Sequence, residues 1–131
     1  MSDEDRLGID DLVRTQPNTG EIMASVANCW WRCGHAGRAA RWPLAAYYAR
    51  RVRGQQRRLA ILRPQHAERI GRFEREIVEP LLAACAKGDA SAFERAFAAG
   101  TDLANAMHVE TGHAYIRWVL PKDPPPDLDL T

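Results

Sequence analysis

From residue 18 onward apolar positions recur every three or four residues, the spacing of helices that each bury one face. Asn18-Thr19-Gly20-Glu21 reads as a capping-box-like start, after which Ile22, Val26, Cys29, Trp30, Cys33 and Gly37 repeat at helical spacing. Gly34 and Gly37 mark the end of this first helix or a point of close packing. Trp42-Pro43 opens a second helix, proline being suited to the first turn, with Leu44, Tyr48, Val52, Gln55, Leu59 and Leu62 facing inward. A third helix starts at Pro64 and turns Ile70, Phe73, Ile77, Leu81 and Cys85 to the core. Pro80 falls inside that pattern and predicts a kink or restart. Lys87-Gly88-Asp89 ends it, and Ser91-Ala92-Phe93-Glu94 reads as the capping box of a fourth helix. Phe93, Phe97, Gly100, Leu103, Ala104 and Met107 form its inner face, and Gly112 closes it. No strand alternation is present. The pattern predicts an all-α fold, an antiparallel up-down-up-down four-helix bundle over 18–120. Polar residues 1–17 predict a flexible N-terminal arm, and the Pro- and Asp-rich residues 121–131 a mobile tail.

At 131 residues and 46% apolar, the chain is large enough for one core and too apolar for a disordered segment. No apolar run approaches a membrane span, and the acidic N-terminus lacks the pattern of a secretion signal, so the expected location is cytoplasmic. The odd count of three cysteines fits a reducing compartment. A net charge of +1 argues for no particular partner. Arg50, Arg51, Arg53, Arg57, Arg58 and Arg63 nevertheless concentrate on the second helix. The plain reading is a solvated face paired with glutamates, and the sharper one is an anionic partner. Nucleic acid is not inferred, because no recognition module or stacking platform accompanies the charges. Trp31 and Tyr47 on the outward faces of the first two helices predict a homodimer. No nucleophile–base pair, phosphate-binding glycine loop or pair of carboxylates implies catalysis, and a cofactor could still carry chemistry.

The segment Thr101 to His108 is notable for what it lacks. With cysteines at 104 and 107 it would read C-x-x-C-H, a haem-attachment site; here those positions are Ala104 and Met107, and His108 remains. In an antiparallel bundle the start of the first helix lies beside the end of the fourth. Met23 and His108 then sit at similar depth from one end, and a thioether with an imidazole is an axial ligand pair for low-spin haem iron. The plain alternatives are a core methionine and a helix-end histidine favoured by the helix dipole. Cys29 and Cys33, four apart, could join Met107 and His108 as soft ligands for copper or zinc, although two buried thiols explain them as well.

Two blocks carry a resemblance. One is Ala36-Gly37-Arg38-Ala39-Ala40-Arg41-Trp42-Pro43-Leu44-Ala45-Ala46-Tyr47-Tyr48; the other is Ala104-Asn105-Ala106-Met107-His108 with Gly112-His113-Ala114-Tyr115-Ile116. The chain resembles the cytochrome c-prime-like four-helix-bundle family from about Glu21 to Pro121. It departs from that family in lacking both anchoring cysteines. It also departs in carrying Trp30-Trp31 and Cys33-Gly34-His35 where a His/Lys-Leu-Trp-aromatic run is usual. The resemblance implies that His108 is the proximal haem ligand, and that Met23 is the second ligand or borders an open distal pocket. Covalent attachment is excluded, so the expected cofactor is haem b held non-covalently, for electron transfer, gas binding or haem-based oxidation. Met107 and Trp30 would border the cofactor, His113 would form a polar lip, and Arg117 would meet an anionic group such as a propionate. The expected slot lies beside His108 between the first and fourth helices, provided Trp30 and Met107 do not fill it. The alternative is a haem-free descendant that binds a protein or small molecule.

Overall fold

The computed structural model describes residues 8–131, and every described element is helical or irregular. The first seven residues of the expected arm lie outside the described residues. The remainder of that arm carries a short helix, α1 (Ile9–Thr15), which buries none of its side chains. It is followed by α2 (Thr19–Arg38) and α3 (Trp42–Leu62). A single 3-10 turn, Pro64–His66, leads into α4 (Ala67–Phe73), a π turn (Glu74–Val78) and α5 (Glu79–Lys87); α6 (Ala90–Glu110) completes the set. The expected first, second and fourth helices are thus α2, α3 and α6.

Local chemistry explains the boundaries. Asn18 Oδ1 accepts the Glu21 backbone N–H at 2.8 Å and so begins α2. The start of α6 is set two residues earlier than the expected capping box. Asp89, not Ser91, is the cap, accepting from the Ala92 N–H at 3.0 Å. Gly88 adopts φ 65° at the end of α5, a left-handed conformation that suits glycine. The expected third helix is continuous in its dihedrals but passes through the π turn immediately before Pro80. Proline lacks an N–H and its ring crowds the carbonyl four residues earlier, so widening the preceding turn accommodates it without a break.

The packing follows from small residues. A Cβ at Gly37 would lie 2.1 Å from the Phe93 ring, one at Gly34 2.4 Å from Phe97, and one at Gly100 2.6 Å from both Trp30 and Ile77. These pairs step in opposite directions along α2 and α6, so the two helices run antiparallel at close approach. Gln55 Nε2 donates to Ser25 Oγ at 2.8 Å, and the three-residue turn between α2 and α3 makes them an antiparallel hairpin. The α4–α5 path packs on α3 and α6. Trp30, stacked on Phe97 with centroids 4.6 Å apart and edge-on to Phe73, is the centre of the core.

The segment expected as a mobile tail lies against α2. Arg32 pairs with Asp127 at 3.0 Å, Arg41 Nη1 donates to the carbonyls of Asp129 and Thr131, and Leu120 and Leu130 pack on the core. Trp31, expected on an outward seam, is half-covered by Trp118 of the same chain at 5.3 Å, while Tyr47 remains exposed. No helix among the described residues is long and apolar enough to cross a membrane.

Candidate functional site

A cavity of about 490 Å³ opens at the end of the molecule where α2 begins and α6 ends. Its volume falls within the roughly 300–1,000 Å³ typical of small-molecule sites. The walls are Met23, Ala24 and Ala27 of α2, Gln56 and Leu59 of α3, Ile70 and Phe73 of α4, and Ala104, Met107 and His108 of α6. His66, Arg69, Thr111 and His113 supply polar groups around its mouth, and Ile116 and Trp118 close it from the segment after α6. The void exists because the positions that meet across it on α2 and α6 are small or unbranched. Ala24, Ala27 and Ala104 leave room that larger side chains would fill.

His108 is held in one orientation. Its Nδ1 lies 3.1 Å from the carbonyl oxygen of Ile116. A carbonyl only accepts, so Nδ1 carries the proton and Nε2 keeps its lone pair. The segment after α6 returns over the helix because Gly112 takes φ 80° and the His113 N–H donates to the His108 carbonyl at 2.7 Å. Asn105 then fixes the returning segment at Trp118, accepting from the Trp118 N–H at 2.6 Å and donating to the Trp118 carbonyl at 3.1 Å. Trp118 seats its ring edge-on to His108 with centroids 5.5 Å apart. Burial pushes the His108 imidazole below its ordinary value; the Ile116 carbonyl opposes this and His113 adds to it. A neutral imidazole with a free Nε2 beside an apolar cavity is a competent ligand for a metal or a hydrogen-bond donor.

The expected site residues divide. Met23, Met107, His108 and His113 all line the cavity. Trp30 does not: it points inward as expected for one of the tandem tryptophans, but at the level of Gly100, and Nε1 donates to Thr101 Oγ1 at 3.0 Å. An inward Trp30 therefore does not fill the slot, because it sits about two turns deeper along α2 than Met23. Arg117 is exposed and does not line the cavity. Arg69, at the mouth, is the guanidinium that does, and it is drawn to Glu110 at 3.4 Å.

Cys29 and Cys33 are buried away from His108 and Met107, and neither lines the cavity. Burial raises the thiols of Cys29, Cys33 and Cys85 above the ordinary cysteine value. Among the described residues no group of three or more His, Cys, Asp or Glu is arranged to hold a metal ion. The arginines of α3 are largely engaged locally. Arg57 pairs with Glu74 at 2.7 Å, Arg51 lies over Tyr47, and Arg58 donates to Gln16 Oε1.

The sequence reading missed Gln56. It turned Gln55 inward, whereas Gln56 is 7% exposed and lines the cavity, and Gln55 reaches Ser25 at the flank. The signal was the run Ala45, Ala49, Val52, Gln56, Leu59 at alternating spacings of four and three, which is the stripe α3 buries. Comparison with known proteins adds no assignment: no family model, curated protein or solved structure matches this chain.

Proposed function

We propose that the chain is an antiparallel up-down-up-down four-helix bundle that binds haem b non-covalently in this cavity, with His108 as the residue that would hold its iron. The observation that carries the reading is the state of His108 described above: Nδ1 tied to the Ile116 carbonyl, Nε2 free, and the ring bordering an apolar void of about 490 Å³. Such a backbone tether is the usual way a protein fixes the tautomer and direction of a metal-bound histidine. The donor set fits the group. An imidazole and two thioethers, Met23 and Met107, border one apolar space, and Arg69 and His66 at the mouth suit carboxylates facing solvent. Bound haem would supply redox and gas-binding chemistry; the chain would supply position, exclusion of water and the His108 nitrogen that holds it. Met23, which also lines the cavity, would be the second residue to hold the iron, which favours electron transfer, or would leave that side open to an exchangeable ligand.

No cysteine borders the cavity, so nothing there can form a thioether to the porphyrin. The test is the spectrum of protein purified from haem-replete cells, before and after acid–acetone extraction. A Soret band that moves entirely into the acetone supports the reading. Protein that carries no Soret absorbance after expression with excess haem, or haem that stays on the denatured chain, overturns it. A haem-free protein in which the same cavity retains an apolar small molecule is the second reading, favoured by the predominance of carbon in its walls.

A further inference from the structure

Gln56 is more than nine-tenths buried, lines the cavity, and holds Oε1 without a hydrogen-bond partner. Two other buried polar atoms share that condition among the described residues, His35 Nε2 and Gln55 Oε1, and neither residue lines this cavity. An unpaired buried acceptor destabilises a fold, so its presence in a binding cavity points to a donor that arrives with the ligand. The registers of α2 with α3 and of α2 with α6, set by Ser25–Gln55 and Trp30–Thr101, place Gln56, Met23 and His108 at heights within about one helical turn. α3 and α6 each pack on α2 and on the α4–α5 path, so Gln56 and His108 stand on opposite walls.

Resting on the haem reading, we propose that Gln56 hydrogen-bonds a small exchangeable molecule bearing an O–H or N–H group, water being the simplest, held on the side of the cavity away from His108. Haem itself cannot satisfy Oε1. Ionised propionates and vinyl groups carry no donor, and neither does the Met23 thioether. A further molecule is required, and a side of the cavity left open beside Met23 is where it would sit.

The test compares imidazole with 1-methylimidazole, which lacks the second N–H, as probes of the ferric hemin-loaded protein. Wild type and Gln56→Met are titrated and followed at the Soret band. Loss of one neutral hydrogen bond corresponds to about a three- to tenfold weaker imidazole affinity in the variant, with 1-methylimidazole unchanged. The ligand-free variant should melt no lower than wild type, since an unpaired acceptor has been replaced by an apolar group of similar length. Equal imidazole affinity in the two proteins overturns the inference, as does equal weakening of both probes, or a wild type that binds neither. A wild type that forms no Soret band with hemin overturns the haem reading itself, which is a separate outcome. Gln56→Leu is read in the same way if Gln56→Met does not give a helical, soluble protein.

Discussion

Replacing Gly37 with alanine adds one methyl group where α2 meets α6, and the structure fixes the sign of its effect. The new Cβ would lie 2.1 Å from Cε1 and Cζ of Phe93. Phe93 is 1% exposed and cannot swing aside, because Trp42 stands edge-on to it at 5.7 Å and Phe97 lies parallel at 6.0 Å. The helices must therefore separate or the ring must leave its rotamer. Overpacking of this kind costs about 1–3 kcal/mol. Alanine returns up to about 1 kcal/mol of helix propensity, and less at Gly37, which is one residue from the end of α2. The net loss is about 1–2 kcal/mol, or roughly 3–8 °C in melting temperature for a chain of this size. The control is Gly54→Ala in the exposed middle of α3, where an added Cβ meets nothing within 4 Å; it should stabilise by about 0.5–1 kcal/mol. Thermal unfolding followed by circular dichroism at 222 nm reads both. If Gly37→Ala melts at or above wild type, the close approach of α2 and α6 is wrong, and with it the register that brings Met23 to His108.

Trp118→Ala should cost about 3–5 kcal/mol, as for a truncated buried aromatic, and should also free the His108 ring; chemical denaturation with stability unchanged would contradict its place between Trp31 and His108. Burial lowers the imidazoles of both His35 and His108, so the unfolded chain binds protons more readily than the folded one. Stability is then fully present above the unfolded histidine value near 6.5 and is lost as pH falls below it toward the depressed folded values. Denaturant midpoints at pH 7.5 and 5.5 measure this, and a midpoint that rises on acidification would contradict it. Arg32 and Asp127 form an ion pair whose acid is 70% exposed, so Asp127→Asn should change stability by less than about 1 kcal/mol; a larger loss would show that the pair holds the C-terminal segment in place.

Much of this was legible in the chain. The apolar stripes on α2 and α6 are built from Val26, Trp30, Cys33, Phe93 and Phe97, large enough to declare their face, and the all-helical class followed from them. α3 was less legible because the alanines at 45 and 49 are the whole of its buried stripe before Val52 and carry little hydrophobic signal. Leu44 and Tyr48 beside them are larger but only half-buried, which drew the reading one position off and left Gln56 unseen. Pro80 was recognisable as a disturbance, yet nothing local distinguishes a kink from a π turn placed ahead of it. The site was legible in part. Met23, Met107, His108 and His113 were drawn together by motif and topology, whereas Trp118, Arg69 and His66 reach the cavity only through tertiary packing that no periodicity encodes.

The central claim is that His108 anchors haem in this cavity, and titration of purified ligand-free protein with hemin tests it most directly. The account predicts a shifted Soret band that saturates at about one hemin per chain, and His108→Ala that remains folded by circular dichroism but loses most of that binding. A wild-type spectrum indistinguishable from free hemin, or a His108→Ala variant that saturates with the same band at the same concentration, would contradict it.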